Sequence, residues 1–435
     1  MIEQAVRAAQ KAGMEDVVAK LEERQETQIK FHNSDISVIK NWTTRQLSLF
    51  MTLDKKILLL TLENPDRDAI HKAITNGKAI IPRLSPKDHY HGIGQQRRAP
   101  RSDKRYDASI ADTARLVPIA EKTIADATDG ADNAAGVLSA GKHHVELASS
   151  EDIHAEDDNS WATLSVRAFT DAGGSGHAVR CARTLDRLDT DAGATAARDA
   201  ARAGDPQQGE RGTYDVIFSS LALANLMQHV ATFASAFYVD AGMSFLAGET
   251  GRQVGSADLT IKDTGSHPDG IASRVFDDEG IATGETTIIE KGQLRSYLHN
   301  TSTAHRYDAE TTANAGLIVP HPWNVVVDPG DASLEEIISD VEHGLLVTNV
   351  WYTRFQNYRT GAFSTIPRDA AIMIENGELN QAVTGIRISD SLPRLLSSID
   401  MFSQERYQIH WWEVETPVFT PAAIVREVPV THSFR

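Results

Sequence analysis

The chain is 435 residues long with 41% hydrophobic content, more than one core usually fills, so two domains are expected. A formal charge of −17 argues against a duplex DNA-binding protein, because neutralising phosphates needs a basic face. A lone cysteine, Cys181, excludes an internal disulfide and a multi-cysteine zinc site. No apolar run approaches the ~18 residues of a membrane-spanning helix. The first residues, Met1-Ile2-Glu3-Gln4-Ala5-Val6-Arg7, lack a basic stretch followed by an apolar one, so a cytoplasmic location without membrane attachment is the expectation. Arginine outnumbers lysine roughly two to one and the acids are mostly aspartate, which suits a strongly hydrated surface and bears on solubility, not function.

In chain order, residues 1–25 read as an amphipathic helix, with Ala5, Ala8, Ala9, Ala12, Val17, Val18 and Leu21 on one side and Gly13 as a break. From Glu26 to Glu63 the apolar period drops to two, which predicts strands joined at an Asp54-Lys55-Lys56 turn. Asp66–Asn76 predicts a helix capped by Asn64 ahead of Pro65. Residues 82–107 form a polar connector. His89 and His91 within it have the spacing of a metal pair on a strand, but no third ligand is nearby and an ordinary loop is the better reading. A helix over Asp112–Ala127, with Pro118 inside its pattern, precedes strands at Ala134–Ala140, His144–Ser149 and Trp161–Thr170. Glu151–Asn159 reads as an acidic surface turn. The glycine-rich run 171–176 reads as a turn between strands, since a phosphate loop would lead directly into a helix and Val179–Leu185 reads as strand. Arg187–Ala203 predicts a helix, Gly204–Arg211 the domain boundary, and Ser219–Phe237 another helix.

Residues 242–304 carry strand and turn signals about every ten residues, which reads as a curled antiparallel sheet. Within it, Asp277, Asp278 and Glu279 run into Gly280. They are a candidate metal or acid–base site, but carboxylates accepting the N–H groups of a turn explain them more economically. The order Gly242-Met243-Ser244-Phe245-Leu246, Gly251, Asp263, Arg274 to Gly280, Thr286, Gly292, Tyr297-Leu298 and Thr303-Ala304 resembles the TldD/PmbA family, peptidase proteins once labelled modulators of DNA gyrase. The likeness continues through Val327–Gly330, Ser333–Ile338, Gly344–Thr348 and Glu375–Glu378, and is thin before residue 212. It makes Ser244, Phe245, Asp263, Asp277, Asp278, Glu279, Gly280 and Tyr297 family positions, structural or lining a peptide groove.

The resemblance also implies a test. Zinc-bearing members carry His-Glu-x-x-x-His on the helix matching Ser219–Phe237, where two imidazoles hold the ion and the Glu activates its water. In this chain His229 is followed by Val230, and Phe233 and Ala234 stand where the second imidazole belongs. The third ligand of those members is a cysteine near the C-terminus, whereas here the region reads His410-Trp411-Trp412-Glu413-Val414-Glu415-Thr416-Pro417. No catalytic or metal-ligating residue is therefore assigned. The chain resembles the PmbA (TldE) branch, whose members hold no metal and pair with a zinc-carrying TldD subunit.

The elements read together give an α+β N-terminal domain over 1–205, a helix-flanked antiparallel sheet, followed by a β-rich, curled, barrel-like domain over 206–435. The implied function is the non-catalytic subunit of a heteromeric cytoplasmic metallopeptidase that admits unfolded or small peptides. Zinc is expected in the partner and no cofactor in this chain; no nucleic acid or membrane is expected as a partner, and homodimerisation without the zinc subunit stays open. Two alternatives stand beside it. One is an independent homodimeric hydrolase built from His299, His305, Asp277 or Glu279, with His321, Asp308 and Glu310 nearby in sequence; the other is a peptide escort. Aromatics concentrate at Trp351-Tyr352, Phe355, Tyr358, Phe363, Trp411-Trp412 and Phe419, as core filling or as a wall for a subunit or an extended peptide. Arg354–Gly361 is a candidate sheet edge for main-chain pairing.

Overall fold

The structure is a computed structural model that describes residues 1–95 and 106–433; residues 96–105 of the expected connector lie outside the described residues. Helix α1 (Ile2–Lys11) buries Ile2, Ala5, Val6 and Ala9 and stops at Gly13, whose φ of +96° is open to glycine. The expected continuation to residue 25 is not a helix: strand β1 (Val17–His32) begins there. Val17 to Leu21 are buried without a break because β1 lies between two other strands with both faces covered, so it shows no alternation. It pairs with β2 (Asp35–Leu53), which pairs with β3 (Lys56–Glu63) through a turn with Asp54 and Lys55 both at positive φ. Helix α2 (Arg67–Ile80) is capped by Asp66, which accepts from the Ala69 N–H at 2.7 Å; Asn64, the expected cap, sits outside the helix at positive φ. Helix α3 (Thr113–Thr128) is capped by Asp112 and carries Pro118 inside.

Strands β4 (Asn133–Ser149) and β5 (His154–Phe169) are each continuous. The expected acidic surface turn over Glu151–Asn159 is mostly strand. Ala155, Asp157 and Asn159 alternate inward, and the period was hidden because two of the three inner residues are polar. Strand β6 (Ser175–Ala182) completes an antiparallel sheet in the order β3-β2-β1-β4-β5-β6. Helix α4 (Ala192–Arg202) then packs small residues, Ala192, Ala196 and Ala200, against it; a single 3₁₀ turn fills Leu185–Arg187, where the helix was expected to begin.

The second sheet is mixed. Short β7 (Gln207–Gln208) and β8 (Gly212–Phe218) lead into α5 (Ser220–Phe233) and α6 (Ala236–Asp240). Then follow β9 (Ile261–Thr264), β10 (Glu285–Glu290), β11 (Gln293–Leu294), α7 (Thr301–Arg306), β12 (Val325–Val327) and α8 (Leu334–Ser339). The chain ends in β13 (His343–Asn357), β14 (Ala362–Glu375), β15 (Glu378–Thr384), β16 (Ile386–Ser391), α9 (Leu392–Ser397), β17 (Ile399–Trp411) and β18 (Val414–His432). Strand β16 pairs with both β14 and β18, which closes a ring through β8 and β13 and gives the barrel-like curl. The sheet is not wholly antiparallel, since β8/β13, β12/β18 and β7/β15 run parallel. Helix α5 is buried nearly all round, packed against β13 and β18, as a helix apolar on every side must be.

A buried polar lock joins the sheets. Asp369 of β14, at positive φ, accepts from Arg167 Nε of β5 at 2.9 Å, Ser175 Oγ at 3.1 Å and Asn349 Nδ2 at 2.9 Å. Asn349 Nδ2 also donates to His177 Nδ1 at 3.0 Å, while Val350 N–H holds Asn349 Oδ1 at 2.8 Å and so sets the amide's orientation. His177 Nδ1 is thereby an acceptor, Nε2 carries the proton, and it donates to Ser165 Oγ at 2.9 Å. Ser165, His177 and Asp369 thus share the residue types of a nucleophilic triad with the protons placed the wrong way for one.

Two outcomes follow from this lock. Asp369→Ala should lower unfolding stability by about 1–3 kcal/mol in urea denaturation, since it leaves the buried Asn349 amide and the half-buried Arg167 guanidinium without their acceptor, and Asp369→Asn should cost less. Burial pushes the His177 imidazole down to about 4, below its unfolded value, so the unfolded chain binds the proton first. His177 therefore withdraws stability as the pH falls from about 6.5 to about 4, at about 1.4 kcal/mol per pH unit. Buried carboxyls with raised values act oppositely over that range, so the check is site-resolved NMR. A His177 titration near 4 is expected, and one near 6.5 would contradict the lock.

Candidate functional site

The inner faces of β1, β4 and β5 meet the loops around Arg274–Ile281 and Asn314–Trp323 in a cleft. Its floor is the acidic run. Asp277 is fully buried; its Oδ1 accepts from the N–H groups of Glu279 (3.0 Å) and Ile281 (2.9 Å), and its Oδ2 from that of Ala315 (3.0 Å). Asp277 is thus committed to holding the turn. Glu279 accepts from the Thr301 N–H and hydroxyl at the start of α7. Burial pushes both carboxyls up, helped at Asp277 by the charge of Asp278 and at Glu279 by that of Asp277. Gly280 closes the turn at φ +80°, where a Cβ would meet Ile153 Cγ2 at 2.6 Å.

Asp278 faces the other way and is paired twice, with Lys20 Nζ at 2.7 Å and Arg274 Nη1 at 2.9 Å. Burial alone would raise its value, but the two cations hold it below the usual carboxylate range. Lys20 also lies 3.4 Å from Glu22, and His143 Nε2 lies 3.1 Å from the same carboxylate. Above Asp278 opens a cavity of about 600 Å³ whose walls include Lys20, Glu22, Arg24, His143, Arg274 and Trp323. On its other side a more apolar cavity of about 370 Å³ is lined by Val18, Phe50, Tyr90, Ile93, Glu279 and Leu317. Sequence reasoning missed Lys20, Glu22, Asp157 and Asn159. For Lys20 the available signal was a single charge inside the apolar run 17–21.

Of the remaining family positions, Ser244, Phe245 and Tyr297 pack at the end of α5, and Asp263 holds the loops of the cleft. Ser244 Oγ donates to the Phe233 carbonyl at 2.7 Å and accepts from the Leu246 N–H at 3.0 Å. Phe245 sets its ring 5.7 Å from that of Phe233. Tyr297 OH donates to the Leu246 carbonyl at 2.7 Å and accepts from the Gly248 N–H at 3.0 Å. Asp263 on β9 accepts from the Trp323 N–H at 2.7 Å and Asn314 Nδ2 at 2.6 Å, and burial pushes it up to about 7.

The histidines do not converge on one ion. His299 Nδ1 lies 3.2 Å from Thr303 Oγ1, His305 stacks on His91 with centroids 4.0 Å apart, and His321 lies edge-on to Trp323 at 4.7 Å. His144 sits 2.9 Å from Asp158. Among the described residues no group of three or more His, Cys, Asp or Glu is arranged to hold a metal ion. On α5, His229 is edge-on to Phe355 at 5.0 Å, and burial pushes it down to about 4. Phe233 is the hub of a ring cluster with Phe245, Phe355 and Tyr358 at 5.0 to 6.1 Å. Asn225 and Gln228 donate to the Glu413 carbonyl, which ties α5 to the β17–β18 turn. The expected aromatic wall divides: Phe363 and Trp411 are core, whereas Trp412 is 60% exposed and Tyr352 and Tyr358 are also on the surface. Beyond Val347, β13 is paired on one side only among the described strands, with β14.

Comparison with known proteins places this geometry. The PmbA/TldA metallopeptidase central domain matches residues 106–235 and the PmbA/TldA metallopeptidase C-terminal domain matches 211–432. A metalloprotease of Methanocaldococcus jannaschii is 34% identical over 164 residues, 36% of this chain and 35% of that protein. Metalloprotease PmbA of Escherichia coli O157:H7 is 29% identical over 185 residues, 42% of this chain and 39% of that protein. The matched stretches thus span little more than a third of these curated relatives. TldE from Thermococcus kodakarensis superposes with a TM-score of 0.87 over 99% of both chains at 19% identity, a likeness of fold. With its two domain matches together running from residue 106 to residue 432, the chain belongs to the TldD/PmbA family.

Proposed function

We propose that this chain is the non-catalytic, PmbA/TldE-like subunit of a heteromeric cytoplasmic metallopeptidase acting on unfolded or small peptides, with the zinc, its water and the general base supplied by a TldD-like partner. The names of the relatives support the peptidase setting. The observation that carries the accessory role is the surroundings of His229. A tetrahedral zinc site needs three protein donors at about 2 Å and one open position. Here the imidazole faces Phe355, the next residue is Val230, and Phe233 is locked into a ring cluster. This donor set does not fit zinc.

The independent-hydrolase alternative has less support. Asp277 and Glu279 accept hydrogen bonds from backbone and hydroxyl groups, His305 is stacked, and the Ser165–His177 bond runs from imidazole to hydroxyl. No helix among the described residues is long and apolar enough to cross a membrane.

The test is reconstitution. The isolated chain should leave an unfolded peptide intact, and mixing it with a His-Glu-x-x-x-His subunit should give cleavage that a chelator abolishes. His229→Gln should leave the reconstituted rate unchanged. Chelator-sensitive cleavage by the isolated chain would overturn the proposal.

A further inference from the structure

Arg274 is only 9% exposed and its guanidinium lies 5.1 Å from the centroid of Phe276 and 5.4 Å from that of Trp323. Its Nη1 is committed to Asp278, yet Nε and Nη2 are buried with no hydrogen-bond partner among the described residues. One residue on, the Val275 N–H is held by Asp157 Oδ2 at 3.0 Å, and Asp157 Oδ1 is likewise buried and unpartnered. Leaving such groups unsatisfied costs about 1–3 kcal/mol each, more for a charged one, so Arg274 Nε and Nη2 call for an acceptor and Asp157 Oδ1 for a donor.

The Nε–Nη2 edge of a guanidinium is a planar pair of parallel donors that matches a carboxylate. Long-range charge does not favour an anion here, because Lys20, Arg24 and Arg274 share the cavity with Glu22, Glu26, Asp278 and Glu415. A highly charged phosphate is therefore disfavoured, and a singly charged planar group gains most from a directional fork. The cavity, about 600 Å³ with Trp161, Trp323 and Pro417 on its walls, is within the range of a small-ligand site and has apolar surface for the rest of a short chain.

We propose that this cavity is a carboxylate-binding site with Arg274 as its receptor, and that it takes the carboxylate of a short peptide. The inference rests on the peptide-handling reading above and adds an anchor and a polarity to it.

The test titrates the full chain with an unstructured hexapeptide of Gly, Ser and Thr bearing a free C-terminus, with its C-amidated twin, and with an amidated version carrying one Glu. Calorimetry is the readout, with the change in total tryptophan fluorescence beside it, since two of the six tryptophans, Trp161 and Trp323, stand on the cavity wall. The free acid should bind at least about tenfold tighter than the plain amide. Arg274→Lys, which keeps a cation beside Asp278 but removes the fork, should abolish that difference, and Arg7→Gln on the exposed side of α1 should not. If the Glu-containing amide matches the free acid, the carboxylate comes from a side chain and the site stands; if it binds like the plain amide, the site reads the terminus. Equal affinity for free acid and plain amide, absence of binding by any of the three, or a preference that survives Arg274→Lys overturns the proposal. Should Arg274→Lys not fold, the wild-type comparison decides alone. Partner-dependent cleavage is scored separately, so the anchor can fail while the subunit role stands, and the reverse.

Discussion

The pairing of Lys20 with Asp278, shared by Arg274, is the contact on which the cleft depends. Lys20 comes from the central strand of the first sheet and Asp278 from a loop of the second, 258 residues apart. Each is nearly buried, so each needs the others: an unpaired charge there would cost far more than the pair returns. The same carboxylate walls both cavities, so the bridge fixes their partition as well as the distance between the sheets. Asp277 makes this geometry repeatable, because three backbone N–H groups hold the turn that presents its neighbour.

The second determinant is the interior of the ring around α5. A helix buried on every side, enclosed by a curled sheet, could display ligands toward the β17–β18 turn. In this chain the facing positions are instead invested in aromatic packing and in amide bonds to the Glu413 carbonyl. Edge-to-face ring pairs add about 0.5–1.5 kcal/mol each beyond the area they bury, so this interior is stabilised by the residues that an ion-binding interior could not accommodate. Buried side-chain polar atoms without a partner occur in both regions, at Arg274 and Asp157 in the cleft and at the indole nitrogens of Trp351 and Trp411 beside the ring.

Much of the fold was legible from local signals. Asp54-Lys55 announced a hairpin, and both residues do reach positive φ, while the resemblance marked Ser333–Ile338, where α8 starts behind a reciprocal Ser333–Glu336 cap. What failed did so for one physical reason: tertiary cover overrides local period. Val17–Leu21 looked helical because a strand covered on both faces has no alternation, and Glu151–Asn159 looked like a loop because its inner residues are polar. The same effect concealed the candidate site. The order of the family positions pointed to the acidic run, but its partners Lys20 and Glu22 come from a strand read as helix, and no spacing rule links residue 20 to residue 278. The resemblance supplied the arrangement of the second sheet, and only the folded chain shows which of three adjacent carboxylates holds a turn and which bridges two sheets.

The central claim is that this chain shapes a place for a peptide and leaves the metal to another subunit. Its most direct test is diffraction at the zinc absorption edge from crystals of the isolated chain grown with excess zinc. The account predicts no fully occupied anomalous peak at the helix bearing His229. A zinc ion at full occupancy there, coordinated by this chain's own side chains, would contradict it.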